Sequence, residues 1–388
     1  MKRWTRLNNT LLLFFAVLSA LCLGGGYYAG GICIWLSFLT LLVWPILAVN
    51  LLLLVTQLFT KKKWKGMVPL LAILLHADYL SAVYQLPYCS KPAVSEQEGT
   101  PLTVVTYNAS HFYWNRKYTM NEAAAYIKQL QPDIICFQEA PGDGYYHRDS
   151  IRYAFDYVLY KYISRRTDHL PTTIYSRYPI HSVKALYYKN SSNMSLIADV
   201  RINNQYIRVI NNHFETTSVN AYRGIITAPG KSLEVRAKAV KDLVLKMKSN
   251  YQKRAEQADS IHAEIERSPY PVLVCGDFND TPASYTYHRL QEGLTDGFRD
   301  CGSGYQYTFR QLYKLWRIDY VFYSESLKGY ECYSPETSYS DHNMVVWKGW
   351  FVIKKRIGVE YNFLKDENLV LNETVVENYM ADQLREIY

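Results

Sequence analysis

The sequence lacks the cysteine patterns of a zinc site and of a disulfide scaffold. Its 388 residues contain seven cysteines, an odd number, and none forms a C-x-x-C pair or a Cys/His spacing suited to zinc. Cys136 and Cys275 lie in apolar, strand-like segments, where we expect small buried side chains. Cys22 and Cys33 lie in or beside apolar runs near the N-terminus. Cys89, Cys301 and Cys332 remain, and an oxidising exterior would permit one bridge among them.

Charged residues are missing from two long runs near the N-terminus, 10–29 and 32–59. A third, weaker apolar run covers 67–86 and contains His76 and Asp78. A helix of about 20 apolar residues crosses the core of a bilayer, and two charge-free runs of this length argue against a buried hairpin in a soluble domain. The sequence therefore predicts a membrane anchor at 1–88, with these three runs as transmembrane helices.

Basic residues flank the apolar runs on one side only. Lys2, Arg3 and Arg6 precede the first run, and four lysines between 61 and 65 separate the second from the third. Cytoplasmic loops carry an excess of Lys and Arg, so we expect a multi-pass protein of the cell (inner) membrane whose large domain lies outside the cytoplasm. If the first run is instead a cleaved signal peptide, one span is lost but the domain stays on the same side.

Beyond the anchor, the chain has almost no excess of positive charge. The whole chain carries a net charge of +8, but residues 1–88 hold seven Lys or Arg and one Asp. The rest has 36 basic and 34 acidic residues, a net charge of about +2. A broad basic field, which drives non-specific binding to DNA, is therefore absent from the large domain.

The large domain alternates strand-like and helix-like segments without internal repeats. After a polar linker at 89–100, apolar segments rich in Val, Ile, Tyr and Phe predict strands. They lie at 102–107, 134–138, 172–175, 195–201, 206–212, 272–275, 318–323 and 344–350. Helical spacing predicts helices at 121–130 and 232–266. We expect an α/β domain at 101–352, with two packed sheets and helices outside, followed by an extension at 353–388 that contains a terminal helix at 372–387.

Polar side chains stand at the ends of six predicted strands. Carboxylates, amides and imidazoles at several converging strand ends are the usual material of an active site, whereas a single polar strand end is only a turn. In chain order, these residues are Asn108, Glu139, His213, Asp277, Asn279, Asp319, Asp341 and His342.

The oxygen atoms in this set suit a hard divalent cation. We expect Glu139 and Asp341, helped by the Asn108 carbonyl, to hold Mg²⁺ or Mn²⁺. Two or three such ligands leave coordination positions for water and for a phosphate oxygen.

The remaining residues suit proton transfer and phosphate binding. His342 is the expected base that takes a proton from an attacking water, with Asp319 orienting its imidazole. His213 and Asn279 would donate hydrogen bonds to phosphate oxygens as charge builds on them. Asp277 would serve a water or a leaving oxygen. The set predicts metal-assisted attack of water on a phosphate ester.

The motifs that carry these residues resemble the endonuclease/exonuclease/phosphatase superfamily of deoxyribonuclease I-like proteins. They appear in the expected order as YNAS, IICFQE, YSRYPI, GDFND, RIDYVF and SDH. The resemblance implies a four-layer α/β sandwich of two mixed sheets, a divalent metal and hydrolysis of a phosphodiester or phosphomonoester. It also implies the same residue roles, with Asn108, Glu139 and Asp341 at the metal and the other five in catalysis.

The sequence leaves the substrate open. A tethered, near-neutral domain favours a lipid-derived, sugar or other small phosphate ester. A nuclease of the deoxyribonuclease type is the alternative, and a basic groove would be expected for it. A non-catalytic module that binds a phosphate ligand is the third possibility, which the complete residue set argues against. The oligomeric state is not determined by the sequence.

Overall fold

The computed structural model describes residues 2–28, 31–87, 99–140, 148–164, 169–217 and 219–352. Most of the predicted linker, the extension at 353–388 and its predicted terminal helix lie outside the described residues. The described chain forms one compact unit that ends at Val352.

The N-terminal part is helical. Its elements are α1 (Lys2–Tyr27), a 3₁₀ helix (Gly31–Leu42), α2 (Val43–Leu58), a 3₁₀ turn (Lys63–Gly66), α3 (Met67–Leu74), α4 (Ala77–Val83) and the short strand β1 (Tyr84–Gln85).

Strands and helices alternate through the rest of the described chain. The strands are β2 (Gly99–Asn108), β3 (Tyr113–Trp114), β4 (Lys117–Tyr118), β5 (Ile134–Gln138), β6 (Tyr160–Ile163), β7 (Thr172–Ser176), β8 (Ile180–Tyr187), β9 (Met194–Ile202), β10 (Gln205–His213), β11 (Val272–Asp277), β12 (Thr295–Asp296), β13 (Gly304–Tyr305), β14 (Asp319–Tyr323), β15 (Leu327–Tyr333) and β16 (Val345–Val352). The helices are α5 (Met120–Gln129), α6 (Arg148–Ala154), α7 (Val219–Thr227), α8 (Leu233–Glu266), α9 (Tyr285–Gln291) and α10 (Gly297–Cys301).

These strands build two six-stranded mixed sheets in the described part of the chain. The first has the order β15-β16-β2-β5-β7-β6, and the second has the order β12-β14-β11-β10-β9-β8. The pairs β2/β5 and β10/β11 are parallel, and the other pairs within the two sheets are antiparallel.

The central strands are apolar throughout because both of their faces are covered. In β5, Ile134 and Cys136 point between the two sheets, whereas Ile135 and Phe137 point towards α5 and α6. On the outer face of the second sheet, Val272 and Val274 pack against α8 and α9. The order of layers is thus helices, sheet, sheet, helices. The predicted four-layer α/β sandwich is confirmed.

The anchor forms an antiparallel helical bundle. Near the N-terminal end of α1, the Asn8 and Gln57 amides bond each other, and further along Asn50 donates to Ser19. Two helices are long and apolar enough to cross a membrane, Arg6–Tyr27 and Ile34–Leu58. Both agree with the first two predicted spans.

The third predicted span differs from the expected single helix. It is a bent pair, Lys63–Leu74 and Ala77–Val83, with an angle of 53° between its halves, so the described chain has up to three candidate spans if the pair counts as one. Asp78 in the second half forms an ion pair of 2.7 Å with Arg299 of the large domain. The bend separates an apolar α3 from an α4 that packs on the domain.

The large domain therefore takes in residues before its predicted start at 101. Ala82 of α4 is fully buried in the cluster beneath the second sheet. β1 pairs with β13, and the Val83 carbonyl accepts a hydrogen bond of 2.9 Å from Gln306 N. The predicted boundary at 101 rested on composition alone, which does not indicate these contacts.

Neither of the domain cysteines that the sequence left available for a bridge and that the structure describes forms a disulfide. Cys301 and Cys332 are unbridged, as are Cys22, Cys136 and Cys275. Cys136 and Cys275 are fully buried between the sheets, as the sequence predicts.

Candidate active site

Strand register brings the predicted site residues to one edge of the two sheets. In the parallel pair β10/β11, His213 lies beside Asp277. In the antiparallel pair β11/β14, Asp277 lies beside Asp319. In the first sheet, Asn108 pairs with Gln138, the residue before Glu139. The carboxyl ends of the parallel strands thus meet at the same edge as the start of β14.

A glycine and a left-handed turn shape the GDFND segment. Gly276 has φ +128°, and a Cβ there would lie 2.0 Å from the Asn212 carbonyl oxygen. After it, Asn279 has φ +53°, and its backbone N–H donates to Asp277 Oδ1 at 2.8 Å. Glu139 also has a positive φ, +49°. Non-glycine residues in this region are strained, and such strain is concentrated at functional sites.

His342 and Asp319 form a tight pair. The His342 Nδ1 atom lies 2.9 Å from Asp319 Oδ2 and 3.2 Å from Oδ1. The Asp319 backbone N–H donates to Thr308 Oγ1 at 3.0 Å, which fixes the start of β14. Burial by itself lowers the pKa of His342, but the Asp319 and Asp277 carboxylates outweigh it and hold the pKa well above its usual value.

Asp277 is the central carboxylate of the cluster. Its Oδ2 accepts hydrogen bonds from Asn108 Nδ2 at 2.9 Å and Asn279 Nδ2 at 3.2 Å. The same oxygen lies 3.8 Å from His342 Nε2 and 3.9 Å from His213 Nε2. Burial raises the pKa of Asp277 to about 7, against the opposing charge of His342. Asp277 can therefore carry or release a proton near neutral pH.

Glu139 faces three polar side chains across the site. Its Oε1 lies 3.3 Å from Asn108 Nδ2 and 3.5 Å from His213 Nε2, and its Oε2 lies 3.6 Å from His111 Nε2. Burial lowers the pKa of His213, so this imidazole is neutral at physiological pH. His111 is a site residue that the sequence reasoning missed, although it directly follows YNAS.

Asn108 is oriented differently from the prediction. Its Nδ2 points at Glu139 and Asp277, and its Oδ1 accepts the Ser110 N–H at 3.1 Å. In this orientation the Asn108 amide donates hydrogen bonds to the carboxylates of Glu139 and Asp277. The predicted role as an oxygen ligand requires its amide to turn over.

The carboxylates divide into a buried set and an open set. Asp277, Asp319 and His342 have ligand atoms within 4.8 Å of one another, and both aspartates are only 1% exposed. The Glu139 side chain is 24% exposed, and Asp341 is partly exposed in the same cavity. Asp319 is already paired with His342. The open pair of Glu139 and Asp341 therefore suits a cation that also binds water and phosphate better than the buried set does.

The open pair lies in a cavity of about 300 Å³. Seven of the eight predicted residues line it, and the eighth, Asp319, lies behind His342. The described lining residues that the sequence reasoning missed are Leu170, Ser192, Asn193, Glu215, Thr216, Thr217, Val219, Phe309, Trp316 and Ile318. Only the FETT segment directly after β10 offered a signal for some of them, because Glu215 to Thr217 follow closely after the strand-end His213.

A sequence profile of the Endonuclease/Exonuclease/phosphatase family matches residues 105–342, more than half of the chain. The chain belongs to this family. Family enzymes hydrolyse phosphoester bonds and use divalent metal ions. The chain matches no curated protein.

Among solved structures, one with a TM-score of 0.50 shows the same fold, and others are similar at lower scores. An endonuclease/exonuclease/phosphatase family protein from Bacteroides thetaiotaomicron is 16% identical, with a TM-score of 0.50, over 68% of this chain and 99% of that one. Truncated Caenorhabditis elegans TDP2 is 18% identical, with a TM-score of 0.46, over 65% and 99%. The human Nocturnin catalytic domain with bound sulfate is 14% identical, with a TM-score of 0.46, over 65% and 95%.

Proposed function

We propose that this family member is a membrane-anchored, divalent-metal-dependent phosphoesterase that hydrolyses a phosphodiester or phosphomonoester outside the cytoplasm. One observation carries the proposal: the buried His342–Asp319 pair and Asp277 adjoin the open carboxylates Glu139 and Asp341 in one cavity. Proton-transfer groups beside oxygen ligands are what metal-assisted hydrolysis requires.

Glu139 and Asp341 are the residues that would hold Mg²⁺ or Mn²⁺. A cation held there would supply charge neutralisation at the phosphate oxygens and polarisation of the phosphorus. Neither carboxylate is committed to an Arg or Lys partner among the described ion pairs, which leaves both free for a cation.

His342 takes the proton of the attacking water. Asp319 holds Nδ1, so Nε2 faces Asp277 and the cavity. A raised pKa makes this imidazole a stronger base, although less of it is neutral near pH 7. Asp277, with its pKa of about 7, is placed to return a proton to the leaving oxygen. His213 and Asn279 contribute hydrogen bonds to the phosphate.

The distribution of basic residues in the helical bundle supports a domain outside the cytoplasm. The lysine-rich turn after α2 lies beside the start of α1, where Lys65 bonds Asn9. At the opposite end of α1, the Tyr27 ring stacks on His288 with centroids 4.2 Å apart. The basic residues and the domain therefore sit at opposite ends of the bundle, which agrees with a cytoplasmic basic end.

The test uses the full chain in detergent with a chromogenic phosphodiester, a chromogenic phosphomonoester and plasmid DNA, each with Mg²⁺, Mn²⁺ or EDTA. We expect metal-dependent turnover that falls by about 10²–10⁴-fold in His342→Ala and in Asp319→Asn. Glu331→Gln, which removes an exposed charge beside Lys348, is the matched control and should retain full activity.

Turnover that survives EDTA, or that is unchanged in both variants, would show that the site is not the catalytic centre. Metal binding by calorimetry without turnover of any ester would instead favour a binding module. Preference for plasmid DNA would make the protein a nuclease.

A further inference from the structure

Two segments that line the cavity also touch the membrane spans. Val219, at the start of α7, lines the cavity and packs against a cluster that Ile34 of the second span forms with Met247 and Tyr251 of α8. The cavity therefore shares one wall with the anchor.

The second segment is the loop from β13 to β14, 304–318. The Trp44 indole in the second span donates to the Leu315 carbonyl at 3.3 Å, and its ring meets that of Tyr305 edge-on at 6.0 Å. The next residue along, Trp316, lines the cavity and stacks with Phe309 at 6.3 Å. The cavity thus opens between two segments that are both attached to the anchor.

Beyond Val219, apolar side chains are exposed on α7 and on the first half of α8. Ile225, Leu233, Val240 and Leu245 are exposed there, with Leu233 86% exposed. Lysines accompany these side chains at 231, 238, 241 and 246. Exposed apolar side chains among lysines on helices are typical of elements that lie in the headgroup region of a bilayer.

The helix that carries most of these side chains, α8, also packs against the second span. Leu243 and Met247 of α8 pack with Ile34 and Phe38, and Lys248 Nζ lies 5.0 Å from the centre of the Trp35 ring. We name the exposed side chains Ile225, Leu233 and Val240 the α7–α8 surface. The contact of α8 with the second span, made by Leu243 and Met247, brings this surface close to the point where that span would leave the lipid.

The cavity itself suits one phosphate carried by an apolar molecule. Its volume of about 300 Å³ is at the lower end for small-molecule sites. None of its described lining residues is Lys or Arg, and four are acidic. A polynucleotide needs cations along its backbone, whereas a single phosphate needs only the cation and a few donors. The apolar part of the lining is Leu170, Val219, Phe309, Trp316 and Ile318.

We propose that the substrate is a membrane lipid with a phosphate ester in its headgroup, which enters the cavity from the bilayer along the α7–α8 surface. The proposal rests on the proposed function. Water forms the new P–O bond, the ester P–O bond breaks, and the leaving oxygen takes a proton, so water is the only co-reactant. The hydrocarbon chains of the substrate lipid remain in the bilayer or contact Val219 and Trp316.

The experiment uses the full chain reconstituted in phosphatidylcholine vesicles. Phosphatidylglycerol serves as the lipid diester and phosphatidic acid as the lipid monoester, beside the two chromogenic esters and plasmid DNA. The double variant Ile225→Glu/Leu233→Glu disrupts the α7–α8 surface. Leu159→Glu is the matched control, because Leu159 is 75% exposed just before β6, at the edge of the first sheet.

We expect the wild type to hydrolyse at least one of the lipids. The ratio of lipid to chromogenic-ester turnover should fall at least tenfold in the double variant and stay unchanged in Leu159→Glu. Chromogenic-ester turnover reports in each case that the variant is folded.

Turnover of chromogenic esters but of neither lipid would overturn the lipid substrate and leave the proposed function standing. A higher rate on plasmid DNA than on the lipids would overturn it as well. An unchanged ratio in the double variant would refute entry along the α7–α8 surface. Absence of turnover on every ester would instead remove the proposed function.

Discussion

Asp277 depends on the glycine before it. The backbone at Gly276 is left-handed and passes close to Asn212, while Asp277 accepts hydrogen bonds from two asparagine side chains. The turn residues Gly, Asp and Asn in this motif therefore serve two purposes. They end a buried strand, and they aim a carboxylate into the cluster.

We expect Gly276→Ala to destabilise the fold severely. A Cβ 2.0 Å from the Asn212 carbonyl oxygen forces backbone movement, and φ +128° adds strain. Overpacking and strain together should lower the free energy of unfolding by about 3 kcal/mol or more. Thermal unfolding of the full chain in detergent measures the change.

Gly224→Ala is the control, because a Cβ at Gly224 meets nothing within 4 Å and α7 favours alanine. Its melting temperature should stay the same or rise. A parent-like melting temperature for Gly276→Ala would contradict the assigned geometry.

At the scale of the elements, a buried ion pair joins the anchor to the second sheet. Arg317 bonds both oxygens of Asp296, and both side chains are 0% exposed. Arg317 also donates to the Ala82 carbonyl of α4 at 2.7 Å. Asp296 in turn caps α10 by accepting the Phe298 N–H. One guanidinium thus connects α4, α10 and the start of β14.

We expect Arg317→Met to cost about 3–5 kcal/mol of unfolding free energy, because it leaves the Asp296 carboxylate buried without a counter-charge. Adding Asp296→Asn should recover part of the loss. Denaturant unfolding of the parent, Arg317→Met, Asp296→Asn and the double variant gives the coupling energy.

Arg289→Met is the comparison variant, since its pairs with Asp259 and Glu292 are exposed. It should change stability by less than about 1 kcal/mol. If Arg317→Met behaved in the same way, the buried pair would not be what attaches α4 to the domain.

Short and edge elements were the ones the sequence did not predict. β6, β8 and β15 carry mixed apolar and polar residues because they lie at or near sheet edges, so their periodicity is weak. The central β5 was predicted with the bounds that the structure shows, since both of its faces are buried. The bend between α3 and α4 depends on packing against the domain, which no local pattern records.

At the scale of the whole molecule, the two ends of the helical bundle have different partners. One end carries the basic residues, and the other contacts α9 and the β13–β14 loop. An anchor with this polarity places a large domain on a single side of the membrane.

We predict that a cysteine at residue 331 is reached from outside the cell and one at residue 62 is not. Glu331→Cys and Lys62→Cys, each compared with the parent chain, would be labelled in intact cells with a membrane-impermeant maleimide and again after lysis. Extra labelling of Glu331→Cys in intact cells supports the extracytoplasmic domain. The reverse pattern would invert the topology.

The sequence by itself determined the layered α/β fold and the identity of the candidate site. Buried strands have to be apolar, so the polar residues that end them stand out, and seven of those eight line one cavity. Their roles stay predictions.

The tertiary structure alone decided how those residues face each other and what surrounds them. Hydrogen bonding turned the Asn108 amide towards two carboxylates, and packing placed His111, Phe309 and Trp316 at the site. It also joined α4 to the domain and the cavity wall to the second span. Because these contacts join residues far apart in the chain, the local sequence around either partner does not indicate them.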